Sequence, residues 1–290
     1  MKKYLWILAA AFLLQACSKD EEEGPYVPWR PGDDKEETID LDKATKVMIL
    51  TEQAKNRIVM IDQPTGKVAW EWTAADSGLS AAEQAWFDLP DEAKPVYNRT
   101  CVLVTASGGG VALIRIADKK AMFYAKPGGN PHSAEVLPDG NVVVASSTGN
   151  LLSVYVYNGA DSYVSRPAFT MPVHSAHNVV WDRKRGCLWT ATGAQLLKLA
   201  YNGKRTAPEL TQVRSYDMAA GNTDAHDLAP VCGEDAMYTS STVRRRSSST
   251  WRSSSRTPSR AFRRVRRGIP RSSCAPRRAG ATGGRPRCAT

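Results

Sequence analysis

Ser133-Ala-Glu-Val-Leu137, Pro138-Asp-Gly-Asn141, Val142-Val-Val-Ala-Ser146, Gly149-Asn150 and Leu151-Leu-Ser-Val-Tyr-Val-Tyr157 decide how this sequence folds. Three short apolar runs, rich in β-branched residues, are separated by Pro, Asp, Gly and Asn turns, the signature of a β-meander. The unit recurs on both sides. Upstream stand Lys46–Thr51, Ile58–Asp62 and Lys67–Trp72, then Cys101–Thr105, Val111–Ile116 and Ala121–Tyr124. Downstream, Ala176–Trp181, Cys187–Ala191 and Gln195–Ala200 make a fourth unit, and Asp227–Val231 with Ala236–Ser240 begin a fifth. The units restart at His132, His174 and His226, intervals of 42 and 52 residues. Four-stranded propeller blades recur at about 40–50 residues, whereas an immunoglobulin-like sandwich lacks such a restart and ends near about 100. The expected fold is therefore all-β: an incomplete β-propeller of four-stranded antiparallel blades, about four plus part of a fifth, over residues 45–243. Roughly 200 residues suffice for one domain with a substantial core.

Residues 74–96 interrupt this rhythm. Ser80-Ala-Ala-Glu83 has capping-box spacing and leads into Gln84-Ala-Trp-Phe87, so a short helix is predicted inside an insertion on one face of the disc. Trp86 lies on it. Of the tryptophans, Trp70, Trp72 and Trp189 sit in alternating strands and read as packing residues, which leaves Trp86 as the better candidate for stacking on a sugar ring.

The ends of the chain differ from its body. Met1-Lys-Lys3, an apolar run from Tyr4 to Leu14 and Gln15-Ala-Cys17 have the form of a secretory signal, and the run is too short to span a bilayer. Leu14-Gln-Ala-Cys17 resembles the lipobox of bacterial lipoproteins, which implies lipidation of Cys17 after cleavage. Ser18-Lys-Asp-Glu-Glu-Glu23 resembles the acidic tag that sends some lipoproteins to the outer face of the outer membrane. Residues 18–44, acidic and rich in proline, are expected to form a tether. The expected location is thus the outer membrane, lipid-anchored and exposed at the cell surface.

The formal net charge of +10 would ordinarily suggest nucleic acid or an anionic membrane as partner. All of that excess sits in one segment: residues 243–290 hold 15 Arg, no Lys and no acid. Residues 1–242 then carry 24 basic and 29 acidic side chains, a net of −5. From Arg244 the composition turns abruptly to Arg, Ser, Pro, Ala, Gly and Thr, in mid-strand. A GC-rich gene read out of frame yields that mixture, so residues 244–290 are expected to be a disordered tail from a frameshift or a truncated gene. The alternative is a genuine basic tail. A nucleic-acid partner is not expected of an exported chain with an acidic body.

Cys101, Cys187 and Cys232 match no metal spacing and read as buried free thiols, with one disulfide as the alternative. The four histidines cluster at blade starts. Equivalent positions in successive blades share a radius, so His132, His174 and His226 would converge near the central channel, with His177 close by. Imidazoles there suit a ligand or acid–base work, or else bond the neighbouring blade's backbone. Asn98-Arg99 precede the second blade in an equivalent place, and Glu135 and Asp227 lie near the same rim. No phosphate loop, zinc signature or Ser-His-Asp order stands out, and neither a metal nor a cofactor is assigned.

Thr51–Asp62, Trp70-Glu-Trp72 and Asn130–Asn141 resemble a family of bacterial propeller lipoproteins, and Thr65-Gly-Lys-Val68 with Trp70 is similar to a quinoprotein-like repeat. This quinoprotein-like and WD40-like group implies a closed disc of six to eight blades, but no activity. The expected function is a surface-anchored binding or scaffold domain for a glycan or a partner protein. The alternative is a propeller enzyme, a lyase or a sulfotransferase-like transferase working through channel histidines.

Overall fold

The computed structural model describes residues 36–218, 225–231, 234–241 and 249–252. Cys17, Cys232 and most of both terminal segments lie outside them. Five meandering sheets follow one another along the chain. Strands β1 (Val47–Glu52), β2 (Arg57–Asp62) and β3 (Lys67–Trp72) form the first. The second holds β4 (Pro90–Val96), β5 (Cys101–Ala106), β6 (Val111–Arg115) and β7 (Ala121–Ala125). The third holds β8 (Pro131–Val136), β9 (Val142–Ser146), β10 (Leu151–Tyr155) and β11 (Phe169–Pro172). The fourth holds β12 (Val180–Asp182), β13 (Cys187–Thr192), β14 (Gln195–Tyr201) and β15 (Leu210–Asp217). The last described sheet holds β16 (Ala225–Pro230), β17 (Ala236–Ser241) and β18 (Ser249–Arg252). Pairing within the second to fifth sheets is antiparallel. The fold is propeller-like.

The chain divides into two compact units, residues 1–48 with 60–70, and residues 49–59 with 71–290. In the first, Thr38 bridges Val68 in parallel, with the Ile39 N–H donating to the Val68 carbonyl at 3.0 Å. The buried Asp62 carboxylate accepts from the Thr45 N–H at 3.0 Å and the Thr65 hydroxyl at 2.7 Å.

In the second unit the continuous apolar strands find their explanation. A strand such as Val142-Val-Val-Ala145 has no polar alternate, so it needs cover on both faces. Val142 and Val144 pack with Leu103, Leu113 and Phe123 of the preceding sheet, while Val143 and Ala145 pack with Leu188, Leu197 and Leu199 of the following one. β13 and β14 repeat the pattern. Leu188, Leu197 and Leu199 face back, and Trp189, Ala191 and Leu196 face forward onto Leu228 and Met237. The third and fourth sheets are thus blades each wedged between two others, not halves of a sandwich. Strand β8 lies against β4 and β5, β12 against β8, and β16 against β12 and β13. In the second to fifth sheets the first strand is therefore the innermost, and these strands begin at residues 90, 131, 180 and 225.

Three expectations need correction. Residues 90–96, assigned above to the insertion, are the inner strand of the second sheet; their charges obscured the strand pattern. The insertion is correspondingly shorter, residues 73–89. It contains α1 (Ala81–Gln84), whose Ser80 and Glu83 form the expected reciprocal capping box, between two 3-10 turns. Second, Ser249–Arg252 pair with β17, so strand structure reaches into the segment expected to be a tail from residue 244. Third, Asn98 and Arg99 do not stand before the second blade but in its β4–β5 turn. Cys101 and Cys187 are buried free thiols, and burial pushes the Cys187 thiol up from its ordinary range.

The insertion is clamped to the body. Gly108 N–H donates to the Asp88 carbonyl at 2.9 Å, Gly110 N–H to the Trp86 carbonyl at 2.8 Å, and Phe87 meets Trp72 edge-on at 5.5 Å. A Cβ on Gly108 would stand 2.4 Å from the Ala85 carbonyl oxygen and 2.8 Å from that of Trp86, both backbone atoms. Gly108→Ala is expected to cost about 1–3 kcal/mol by overpacking and to lift the insertion. A lowered melting temperature with new protease cuts inside residues 73–89 is the result to look for; an unchanged cleavage pattern would show that the clamp is not needed.

Candidate functional site

The inner strand of a blade has one edge without a strand partner, so its amide groups must be satisfied by side chains. Lys94 on β4 does this for both β8 and the segment leading into β12. Its ammonium donates to the Ser133 hydroxyl at 3.2 Å, the Ala134 carbonyl at 3.0 Å and the Val179 carbonyl at 2.9 Å, which uses all three of its donors. Glu92, on the same strand, accepts from the Ala134 N–H at 3.0 Å and pairs with Lys94 at 3.2 Å. Glu135 of β8 accepts from the Trp181 N–H at 3.3 Å and stands 3.9 Å from Lys94. Burial pushes the Glu92 carboxyl up from its ordinary range, against the pull of the Lys94 ammonium.

At the end of the same strands three imidazoles meet. His132 begins β8, His177 lies in the loop before β12, and His226 begins β16. The ring centres are 4.8 Å apart for His132 and His177, 4.7 Å for His177 and His226, and 5.5 Å for His132 and His226. Asn178 fixes the crossing: its Nδ2 donates to the His226 carbonyl at 3.2 Å, while its Oδ1 accepts from the Ala191 N–H at 2.7 Å. His177 Nδ1 lies 2.9 Å from the Ser175 carbonyl. His132 Nδ1 faces Asp91 Oδ1 at 3.6 Å, and His226 Nδ1 faces Asp227 Oδ1 at 3.7 Å. Asp91 is itself fixed by the Ser107 hydroxyl at 2.7 Å. Desolvation lowers the proton affinity of His132 below the usual imidazole value, with His177 and His226 adding to the effect and Asp91 opposing it.

The candidates named from sequence thus separate. His132, His177 and His226 come together, with Asp227 beside His226, whereas Glu135 stands apart from them with the Trp181 N–H and Lys94. His174 is exposed and makes no ring contact with the trio. The expected trio of His132, His174 and His226 is therefore corrected to one containing His177, because the chain turns at Ser175, whose φ is +53°. Asn98 and Arg99, with Tyr97, form a run of three left-handed residues at the far end of β4. Trp86 belongs to an aromatic group at an outer edge: it lies 6.3 Å from Tyr124 and 5.9 Å from Tyr163, with the Lys126 ammonium 5.2 Å above its ring. Sequence reasoning missed Asp91, Glu92 and Lys94. The signal was a charged stretch, Pro90-Asp-Glu-Ala-Lys94, of strand length one blade before His132.

A model described as "Family of unknown function (DUF6528)" matches residues 1–257. No curated protein matches the sequence. The solved "Crystal Structure of Mitotic Checkpoint Complex" is similar at 11% identity and a TM-score of 0.51, over 68% of this chain and 56% of that one. "Dihydro-heme d1 dehydrogenase NirN in complex with DHE" is similar at 15% identity and a TM-score of 0.47, over 70% of this chain and 41% of that one. The chain therefore spans about half the length of these structures, and at such identities the likeness concerns the fold alone.

Two outcomes follow from the hub. Lys94→Met leaves the half-buried Glu92 without its partner and is expected to cost about 1–3 kcal/mol in denaturant unfolding. The double change Lys94→Met with Glu92→Gln should recover part of that loss; no recovery would separate the two residues energetically. For His132, the folded state binds fewer protons than the unfolded chain between its lowered value and the ordinary 6.5. Stability is then present above about 6.5 and lost as pH falls through that window. The measurement is the difference in urea midpoint between the wild-type chain and His132→Gln at each pH, since Glu92 acts in the opposite sense. A pH-independent difference would contradict this origin.

Proposed function

We propose, for a chain that belongs to the DUF6528 family of unknown function, the role of a lipid-anchored binding module. Its propeller carries the ligand site where the inner strands begin, and its partner is a glycan or a protein at the cell surface. The observation that carries this reading is the meeting of His132, His177 and His226 within 5.5 Å of one another, each from a different loop or strand. Polar groups that converge from separate rigid elements are what a ligand site requires. All three histidines are half-buried, and Asp227 is largely exposed beside His226, so the cluster borders solvent. The anchor rests on the resemblance of Leu14-Gln-Ala-Cys17 to a lipobox, and surface display rests on the acidic run that follows.

A second reading has its own support. His132 holds its proton weakly and faces Asp91, an imidazole–carboxylate pair of the kind that abstracts a proton. On that reading the chain is an enzyme, a lyase or a transferase of the sulfotransferase kind.

The test uses the full chain on a glycan array and against candidate surface proteins. Replacing His132, His177 and His226 together by Ala should weaken binding at least about tenfold, the scale of losing one well-placed polar contact, while His174→Ala leaves it unchanged. Binding that survives the triple change would place the ligand elsewhere. Turnover of a bound glycan, lost with His132→Ala, would favour the enzyme. Separately, Cys17→Ser should release the chain from the membrane fraction; continued membrane association would refute the lipid anchor.

A further inference from the structure

One amide and three rings meet where three blades touch, and the amide gives the cluster a second state. His132 comes from the third sheet, His177 from the loop entering the fourth and His226 from the fifth, so every ring contact is a contact between blades. The Asn130 Nδ2–H donates to His132 Nε2 at 3.0 Å, which requires the lone pair of an unprotonated ring nitrogen. The Asn130 Oδ1 is buried and, among the described residues, has no hydrogen-bond partner. Its backbone is held in place, because the Asn130 carbonyl accepts from the Ser147 N–H at 3.0 Å and the Ser147 hydroxyl at 3.2 Å. A proton arriving at Nε2 sets two donors face to face. Turning the amide over replaces that clash with a hydrogen bond from Nε2–H to Oδ1. The neutral and the protonated ring thus each have a matching amide orientation.

We propose that Asn130 and the three imidazoles form a proton-operated latch: neutral rings hold His226 against the third and fourth blades, and entry of a second proton releases it. The latch goes beyond the ligand reading and needs no ligand to work.

The charges around the rings set the order of events. The carboxylates facing them are Asp91 on β4, 3.6 Å from His132 Nδ1, and Asp227 on β16, 3.7 Å from His226 Nδ1. His177 Nδ1 meets instead the Ser175 carbonyl at 2.9 Å and the Ser175 hydroxyl at 3.2 Å. Lys94 and the carboxylates of Glu92 and Glu135 are engaged with one another along the inner strands. A first proton on His132 or His226 therefore has a carboxylate beside it. A second places two cations with ring centres 4.7–5.5 Å apart, where partial burial weakens screening. Desolvation, with His177 and His226 adding to it, already lowers the proton affinity of His132. Separated rings take up protons more readily than closed ones, so a fall in pH through the ordinary imidazole value of about 6.5 favours release.

His226 is the ring free to move. The pairing of β16 with β17 shifts register between Ala225 and Leu228, so His226 and Asp227 lack the regular ladder. On either side the strand is anchored: the Ala225 N–H donates to the Gly193 carbonyl at 3.1 Å, and Leu228 packs with Trp189 and Leu196. Release is therefore local. His226 and Asp227 swing out between these anchors, and the 3.2 Å bond from Asn178 Nδ2 to the His226 carbonyl is lost.

The experiment is hydrogen exchange by mass spectrometry on the full chain at about pH 7.5 and about pH 5, either side of the ordinary imidazole value, with rates corrected for the chemical effect of pH. A peptide spanning residues 225–228 should exchange at least about tenfold faster at the lower pH, the change that one linked proton produces over one pH unit. A peptide covering β13 should not respond, and its slow exchange also shows that each variant is folded. His226→Gln, which cannot titrate, should abolish the acceleration, while His174→Ala keeps it. In chain labelled with 15N-asparagine, the Asn130 and Asn178 side-chain resonances should shift over the same pH range. Exchange at residues 225–228 that ignores pH, or an acceleration that persists in His226→Gln, overturns the latch. An Asn130 resonance that stays fixed while release proceeds overturns the part given to the amide.

Discussion

The inner edge of each blade sets the terms for the rest of the structure. A strand at that edge has amide groups on one side with no strand to receive them, in a place where neighbouring blades leave little room for water. The Ala134 N–H, the Ala134 carbonyl, the Val179 N–H and carbonyl and the Trp181 N–H all meet side chains instead: Glu92, Lys94, Ser133 and Glu135. One ammonium with three donors and two carboxylates beside it does most of this. The arrangement joins three blades without extending any sheet, and its cost is the desolvation of charges that are useful only as a set. Hence the inner strands are polar where the middle strands are almost wholly apolar.

The same requirement explains where polar side chains collect. At the outer edges the problem is met locally: the Tyr124 N–H donates to the Ser162 carbonyl at 2.7 Å, the Val164 N–H to the Tyr124 carbonyl at 3.0 Å, and Tyr163 closes over Tyr124 and Trp86. Burial and the hydrogen bond to Glu83 push the Tyr124 phenol up to about 12, so it stays a donor. Trp86 thus packs against an edge and steadies it. At the inner edges polar side chains gather instead, and the histidines stand at the end of the row.

How much of this could be read from the residues follows from the same division. Middle strands such as β9 and β13 were legible because two-sided burial writes uninterrupted apolar runs bounded by Gly and Asp turns. β4 was not legible as a strand: Asp91, Glu92 and Lys94 serve the inner edge, and their charges resemble a loop. The restart of the fourth unit pointed to His174, yet the ring in the cluster belongs to His177, because a left-handed Ser175 reverses the chain between them. Similar phrases in successive blades locate the start of a blade to within a few residues. They do not locate a side chain, since blades of unequal length enter their inner strands through different turns.

A cluster of imidazoles on such a scaffold has two properties that an exposed group would lack. Its members are positioned by backbone that the blades already hold rigid, as Asn178 shows by tying the fourth sheet to the His226 carbonyl. Its electrostatics are set by carboxylates that also have structural partners, as Asp91 does in the Ser107 hydroxyl and in Gln53, whose amide lies 3.5 Å away. Positioning and tuning are therefore inherited from groups the fold requires in any case. What remains adjustable is the single amide of Asn130 against His132 and the exposed Asp227 behind His226. Changes at those two positions alter the polarity of the cluster with least disturbance to the blades, whereas changes at Asp91, Glu92 or Lys94 act on the fold and the cluster together.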